Sequence, residues 1–188
     1  MEEISNKFRA LFKSERLVYT ALDETERCKD FWWKCMSTDP VVRGLADNST
    51  PKPPARAESD KELSSILGRN PLLAVLVCLP GAEGAGANEE SAQPQPIGFM
   101  VLYRSFDRCA SFYLAMLPKY QNKGYGRESI NWAIDYAFEW RDTHRLAINC
   151  FVEEGRIRAC FYMNGSWHDI VEFGMLDSEW KQLRGLAK

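Results

Sequence analysis

Apolar residues recur along this chain in two rhythms, one of period two and one near 3.6. Over residues 14–22, Arg16, Val18 and Thr20 oppose Leu17, Tyr19 and Ala21, which predicts a first strand. Residues 1–12 mix charges with Phe8, Leu11 and Phe12 and read as a loose arm or a short helix. From Glu26 to Met36, Phe31, Trp32, Cys35 and Met36 share a helical face, with Asp23 or Thr25 placed to cap it. Trp32 and Trp33 are neighbours, so a helix cannot aim both the same way, and core or rim packing is expected for each. Ser59-x-x-Glu62 has capping-box spacing, and Leu63, Ile66 and Leu67 follow it, predicting a second helix that ends near Gly68. Residues 71–79 are continuously apolar and of strand length, hence a buried strand. Residues 97–103 resume the sheet antiparallel to it, and 109–117 form the next strand. The clearest helical rhythm is Ile130, Ala133, Ile134, Ala137 and Phe138, ending near Arg141. Residues 145–149 are a short strand, and Asn164-Gly165 is a two-residue hairpin turn with a return strand over 167–175.

Between these elements, 40–56 reads as loop. Residues 81–96 are low in complexity, cannot bury enough apolar surface to offset the entropy of ordering, and are expected to be a mobile insertion. The chain has 188 residues, enough for one core, taken as a single domain over 13–180. Its net charge of −2 gives no electrostatic case for nucleic acid or an anionic membrane. No apolar run approaches the roughly 20 residues of a membrane span. The scattered early charges, with no long apolar stretch after them, leave no secretory signal visible. The six cysteines form no C-x-x-C and the two histidines are too few for a standard zinc site, so no metal is expected. Several cysteines sit in apolar runs as free thiols do, which fits a reducing, cytoplasmic location.

The chemistry gathers between Leu114 and Trp140. An apolar run ends at Pro118, then Gln121-Asn122-Lys123-Gly124-Tyr125-Gly126 opens the long helix. Glycines that permit positive φ, next to unpaired N–H groups at a helix start, make an anion site, most often for phosphate. A P-loop needs G-x-x-x-x-G-K-[ST], and a dinucleotide fingerprint needs a third glycine where Ser129 stands. Gln121-x-x-Gly124-x-Gly126 resembles the acyl-CoA-binding motif of the GNAT family of N-acetyltransferases, and Leu114-x-Met116-x-Pro118-x-Tyr120 looks like that family's flank. Ser14-x-Arg16-Leu17 and the Glu179-Trp180 ending resemble its RimJ/RimL-like branch. The resemblance implies an α/β fold, a mixed and mostly antiparallel central sheet with helices on both faces. It implies that backbone groups of Leu114 and Met116 hold the pantetheine of acetyl-CoA. It implies that Gln121, Asn122, Lys123, Gly124, Tyr125, Gly126 and Arg127 form the pyrophosphate loop, with Lys123 and Arg127 adding positive charge.

One part of the family's text is missing. After the strand at 145–149 the family carries a helix whose Tyr often protonates the leaving thiolate. Here Asn149-Cys150 runs straight into Phe151-Val152-Glu153-Glu154-Gly155. A parallel return takes about a dozen residues, so a return within one chain reads as sterically excluded. Either the two segments run on as one long strand or the register of the tail changes. In the first case the expectation is a swapped homodimer, the tail hairpin completing a second copy's sheet, or a destabilised, aggregation-prone monomer.

The catalytic base is not legible. His168-Asp169 on the hairpin, and Ser111 and Tyr113 before the loop, are the candidates for deprotonating an amine. The resemblance implies transfer of an acetyl group from acetyl-CoA to an amine of a protein or small molecule. The alternative is a catalytically impaired acyl-CoA-binding protein derived from such an enzyme.

Overall fold

In the computed structural model, which describes residues 8, 10–38, 42–43, 53, 55–81, 93–106, 108–149, 155–163 and 166–186, the strand-like runs join one sheet. Its strands are β1 (Val18–Ala21), β2 (Leu73–Leu79), β3 (Gln95–Phe106), β4 (Cys109–Met116), β5 (Arg145–Asn149), β6 (Gly155–Met163) and β7 (Ser166–Leu176). They lie in the order β1-β2-β3-β4-β5-β7-β6. The β4–β5 pair is parallel and the others are antiparallel. The helices are α1 (Glu26–Trp32), α2 (Arg56–Gly68), α3 (Tyr125–Trp140) and α4 (Asp177–Leu183).

Strand alternation divides the core into two layers. Leu76, Phe99, Val101 and Ala115 face α1 and α2, where Trp32 and Leu63 are buried, with Met36 just past α1 in the same layer. Val75, Val77, Met100 and Leu102 face the other way, onto Ala133, Ile134 and Ala137 of α3 and Trp180 of α4. Helices therefore cover both faces, as expected.

Several local expectations shift, each for a physical reason. The first strand is shorter than 14–22, because Ser14 and Arg16 turn away to bind α3. α1 stops at Trp32 and continues as a π-helical turn over Trp33–Ser37. Trp32 is wholly buried and Trp33 half-buried, as their adjacency requires. Thr25 occupies the cap position of α1 without a side-chain cap bond; its own amide donates to Asp23 Oδ1 at 3.0 Å. Ser59 is not a cap. α2 begins three residues earlier at Arg56, held by Asp30 and Asp60, and Ser59 is buried against the Ser37 hydroxyl at 2.8 Å. β3 extends beyond 97–103 at both ends. Its first residues, Gln95 and Pro96, pair with Leu79 and Cys78 across a register shift, where a residue without an N–H fits. So the expected insertion 81–96 gives up its last two residues to the sheet; 82–92 lie outside the described residues.

The tail corrects the steric argument. β6 and β7 form a hairpin on this chain's own sheet, with Met163 beside Ser166. Asn164 and Gly165 between them lie outside the described residues, as do 150–154. Asn149, the last residue of β5, pairs with Glu172, and Gly155, the first of β6, pairs with the same Glu172 on the other side of β7. β6 therefore does not return to run beside β5. It starts where β5 stops and continues in the same direction. The gap to cross is two strand spacings, about 10 Å, and the chain from 149 to 155 can reach about 20 Å. The dozen-residue rule applies to strands lying side by side, and these are staggered. Exchange with a second copy is not required to complete this sheet.

Candidate functional site

The site is assembled where β4 meets α3. The β4–β5 ladder runs from Cys109–Arg145 to Phe112–Ile148 and stops there, while β4 goes on to Met116 paired with β3. Among the described residues, no strand pairs with the β5-facing edge of β4 past Phe112, which leaves a gap in the ladder there. The Leu117 amide donates to Ile97 of β3 at 2.9 Å. Strand alternation then turns the backbone groups of Leu114 and Met116 the other way, into the gap. The Met116 carbonyl already accepts from Gln121 Nε2 at 2.9 Å, so this motif glutamine ties the loop to the end of the strand.

After a 3₁₀ turn over Pro118–Tyr120, the loop bends through two left-handed residues, Asn122 (φ 58°) and Gly124 (φ 83°), the latter capping α3. Successive turns of this kind aim neighbouring amides at a common point, and the first-turn amides of α3 add to them. At Gly126 a Cβ would meet no atom within 4 Å, so the backbone there is open to a ligand. The geometry suits a phosphate or pyrophosphate.

Behind the loop, the N-terminal segment is strapped across α3. The Trp132 indole donates to the Leu11 carbonyl at 2.9 Å and stacks on Tyr19 at 3.6 Å. Glu128, in the first turn of α3, accepts from the Ser14 hydroxyl (2.7 Å), the Arg16 amide (2.7 Å) and Arg16 Nε (2.8 Å). Burial alone would push the Glu128 carboxyl up, but these three donors and the guanidinium charge hold it below the usual carboxylate range. Arg16 Nη1 also donates to the Lys123 carbonyl at 3.1 Å, and its guanidinium lies 4.7 Å from the centre of the Tyr125 ring.

Every residue expected at the cofactor loop is brought to this corner, though not in equal roles. Lys123 is exposed, its ammonium 5.6 Å from the Tyr120 ring. Arg127 is exposed and lines an open cleft of about 520 Å³ with Lys13, Arg16 and Asn131. Tyr125 is half-buried between Arg16 and Tyr120. Ser111 and Tyr113 project toward α1 and α2, with Tyr113 5.7 Å from Phe99. Tyr103 stands beside Ser111 in the register, and burial raises its hydroxyl pKa despite the nearby Arg69. His168 and Asp169 lie in the half of β7 beyond β5. Since Phe112 aligns with Ile148 and Ile148 with Phe173, Asp169 stands level with Met116 across the gap. The side chain of His168 lies outside the described residues. The Ser14–Arg16–Glu128 clamp is the part that residue chemistry missed, because its partners are far apart in sequence. Its only signal was the Ser-x-Arg-Leu opening.

Among the described residues, no group of three or more His, Cys, Asp or Glu could hold a metal ion, and no helix is long and apolar enough to cross a membrane.

Residues 53–164 match the Acetyltransferase (GNAT) family. A spermidine N(1)-acetyltransferase of Vibrio cholerae is 30% identical over 108 residues, covering 48% of this chain and 62% of the relative. The N-acetyltransferase YnaD of Bacillus subtilis, itself uncharacterized, is 27% identical over 100 residues, covering 45% and 59%. The matches thus span less than two thirds of either relative. A crystal structure of spermidine N-acetyltransferase from Vibrio cholerae in complex with CoA and spermine superposes with a TM-score of 0.68 at 22% identity, covering 89% of this chain and 99% of that one. At that identity the superposition speaks for the fold.

Proposed function

The chain belongs to the GNAT family of acetyltransferases, and on that footing we propose that it moves an acetyl group from acetyl-CoA to an amine by direct transfer. The observation that carries this reading is the end of the β4–β5 ladder at Phe112, followed on the same strand by the amide cradle of Asn122–Arg127. An acyl-CoA has a pyrophosphate for the cradle and an amide-bearing arm for the inward backbone of Leu114 and Met116. Acetyl-CoA supplies the activated acyl carbon. The chain's work is to hold it along the gap and admit the amine from the α1/α2 side, where Tyr103, Ser111 and Tyr113 gather. The amine's lone pair forms the N–C bond, the C–S bond breaks, the nitrogen gives up one proton and the leaving thiolate takes one up.

The RimJ/RimL-like opening supports a protein or small-molecule acceptor, and a polyamine is one such acceptor. We take residues 13–180 as the catalytic unit. We also read the short link between β5 and β6 as the loss of one family helix, with its Tyr. That supports the second reading, an acyl-CoA-binding protein with impaired turnover. Calorimetry with CoA, beside thiol release from acetyl-CoA with spermidine and a peptide amine, separates the two. Binding with release supports the transferase, and binding without release supports the impaired protein. A chain that binds no CoA sinks both. If the lost helix is the cause of slow turnover, a family-like helix inserted after Cys150 raises the rate by roughly 10²–10⁴-fold, the worth of a general acid.

A further inference from the structure

We propose that Arg16 is a positioning residue for the phosphate-binding loop, acting with Glu128 as a clamp from the rear; this rests on the function proposed above. The loop's weak point is the Lys123–Gly124 peptide, which lies between two left-handed residues, Asn122 and Gly124. Gly124 adopts this region freely and Asn122 is a residue type that tolerates it, so the backbone permits the turn without fixing it, and a contact from outside the loop can fix it. Arg16 does so at two points, the Lys123 carbonyl and the Tyr125 ring, and stands close enough to Gly124 to crowd any side chain there. Nη1 holds the Lys123 carbonyl, Nη2 comes within 3.2 Å of where a Gly124 Cβ would stand, and the guanidinium plane covers Tyr125. In a trans peptide the C=O and N–H point in opposite directions. Fixing the Lys123 carbonyl against Arg16 therefore turns the Gly124 N–H to the far side, toward the anion site. Glu128 supplies the anchor: its Oε2 accepts from Arg16 Nε, and its Oε1 accepts from the Arg16 amide and the Ser14 hydroxyl.

The clamp puts a carboxylate in the first turn of the helix whose N-terminus receives a polyanion. By charge alone Glu128 should weaken CoA binding. Its presence makes sense if its hold on Arg16 outweighs that repulsion. The two explanations predict opposite signs for one substitution.

The test is calorimetric titration of CoA into the parent protein, Arg16→Ala, Arg16→Lys and Glu128→Gln at fixed ionic strength, with thermal melts alongside. Positioning predicts that the dissociation constant rises about tenfold in Arg16→Ala and Glu128→Gln, the order of a lost charge-assisted hydrogen bond. Arg16→Lys, with the charge but not the fork, recovers only part of the affinity. A merely structural role lowers the binding stoichiometry and leaves the dissociation constant of the remaining sites unchanged, which overturns the proposal. Tighter binding by Glu128→Gln, or full affinity in Arg16→Lys, assigns the effect to charge on the ligand and overturns it too. A parent protein that binds no CoA removes the proposed function, and this inference with it.

Discussion

At the scale of single residues, two positions give clean readouts because the fold does not confuse them. Gly124 needs its positive φ and touches Arg16, so replacing it would strain the loop whatever the ligand does. Gly126 has no such burden. Gly126→Val should leave the melting temperature within a degree or two of the parent and abolish CoA binding measured by calorimetry, because the new side chain would stand only where a ligand comes. CoA affinity equal to the parent's would remove the cradle from the site. Glu128 gives the second readout. Its folded pKa lies below its unfolded one, so the stability it lends is complete above the ordinary glutamate value, about 4.3. That stability is lost as pH falls through the lower folded value. Melts at pH 5, 4 and 3 should therefore show parent and Glu128→Gln converging as pH drops. Parallel curves would mean that the carboxylate is not held as described.

At the scale of elements, α4 is a short helix whose buried anchor is Trp180. Trp180 is buried, stacks on Phe138 at 5.4 Å and donates its indole N–H to Asp135 at 2.8 Å, an oxygen that Arg184 also grips. Trp180→Ala should cost about 3–5 kcal/mol, as large-to-small changes in cores do, measured by urea unfolding; a cost below 1 kcal/mol would mean that α4 is not docked on α3. The elements themselves were largely legible beforehand. β5 and α3 read well because their apolar rhythm is unbroken, and the cofactor loop because a ligand that binds backbone leaves a glycine signature. Ser59 misled because the same Ser-x-x-Glu spacing serves a buried hydroxyl pair, and a capping box is indistinguishable from it without the helix start. The Arg16–Glu128 pairing could not be read from the Ser-x-Arg-Leu opening, because no local pattern joins positions more than a hundred residues apart. The stagger at Glu172 was invisible for another reason: hydrophobic pattern specifies which face a strand buries, and register along its neighbour is set only by the partner.

At the scale of the molecule, the sheet is complete within one chain. Ala147 and Gly174 are cross-strand partners of β5 and β7. Cysteines introduced at both should cross-link within a chain under mild oxidation, and a non-reducing gel should show a fast-running monomer band that the parent and the single variants lack. A covalent dimer in its place would restore the exchanged hairpin. The position of β5 has one further consequence. β2, β3 and β4 form a meander between sequence neighbours, and β6 and β7 form a local hairpin. Such pairings close quickly, a hairpin in about 1–10 μs. β5 differs: it reaches β4 only across α3 and β7 only across β6, so both of its ladders join residues far apart in the chain, and such contacts form late. It is therefore the seam along which the two halves are sewn, and the gap for the ligand opens at the end of that seam. A molecule lying in the gap touches both halves and acts as a clasp on the last stitch. Backbone amides of Leu146 and Ala147 should thus exchange with solvent more slowly as CoA is added, while those of β2 barely respond.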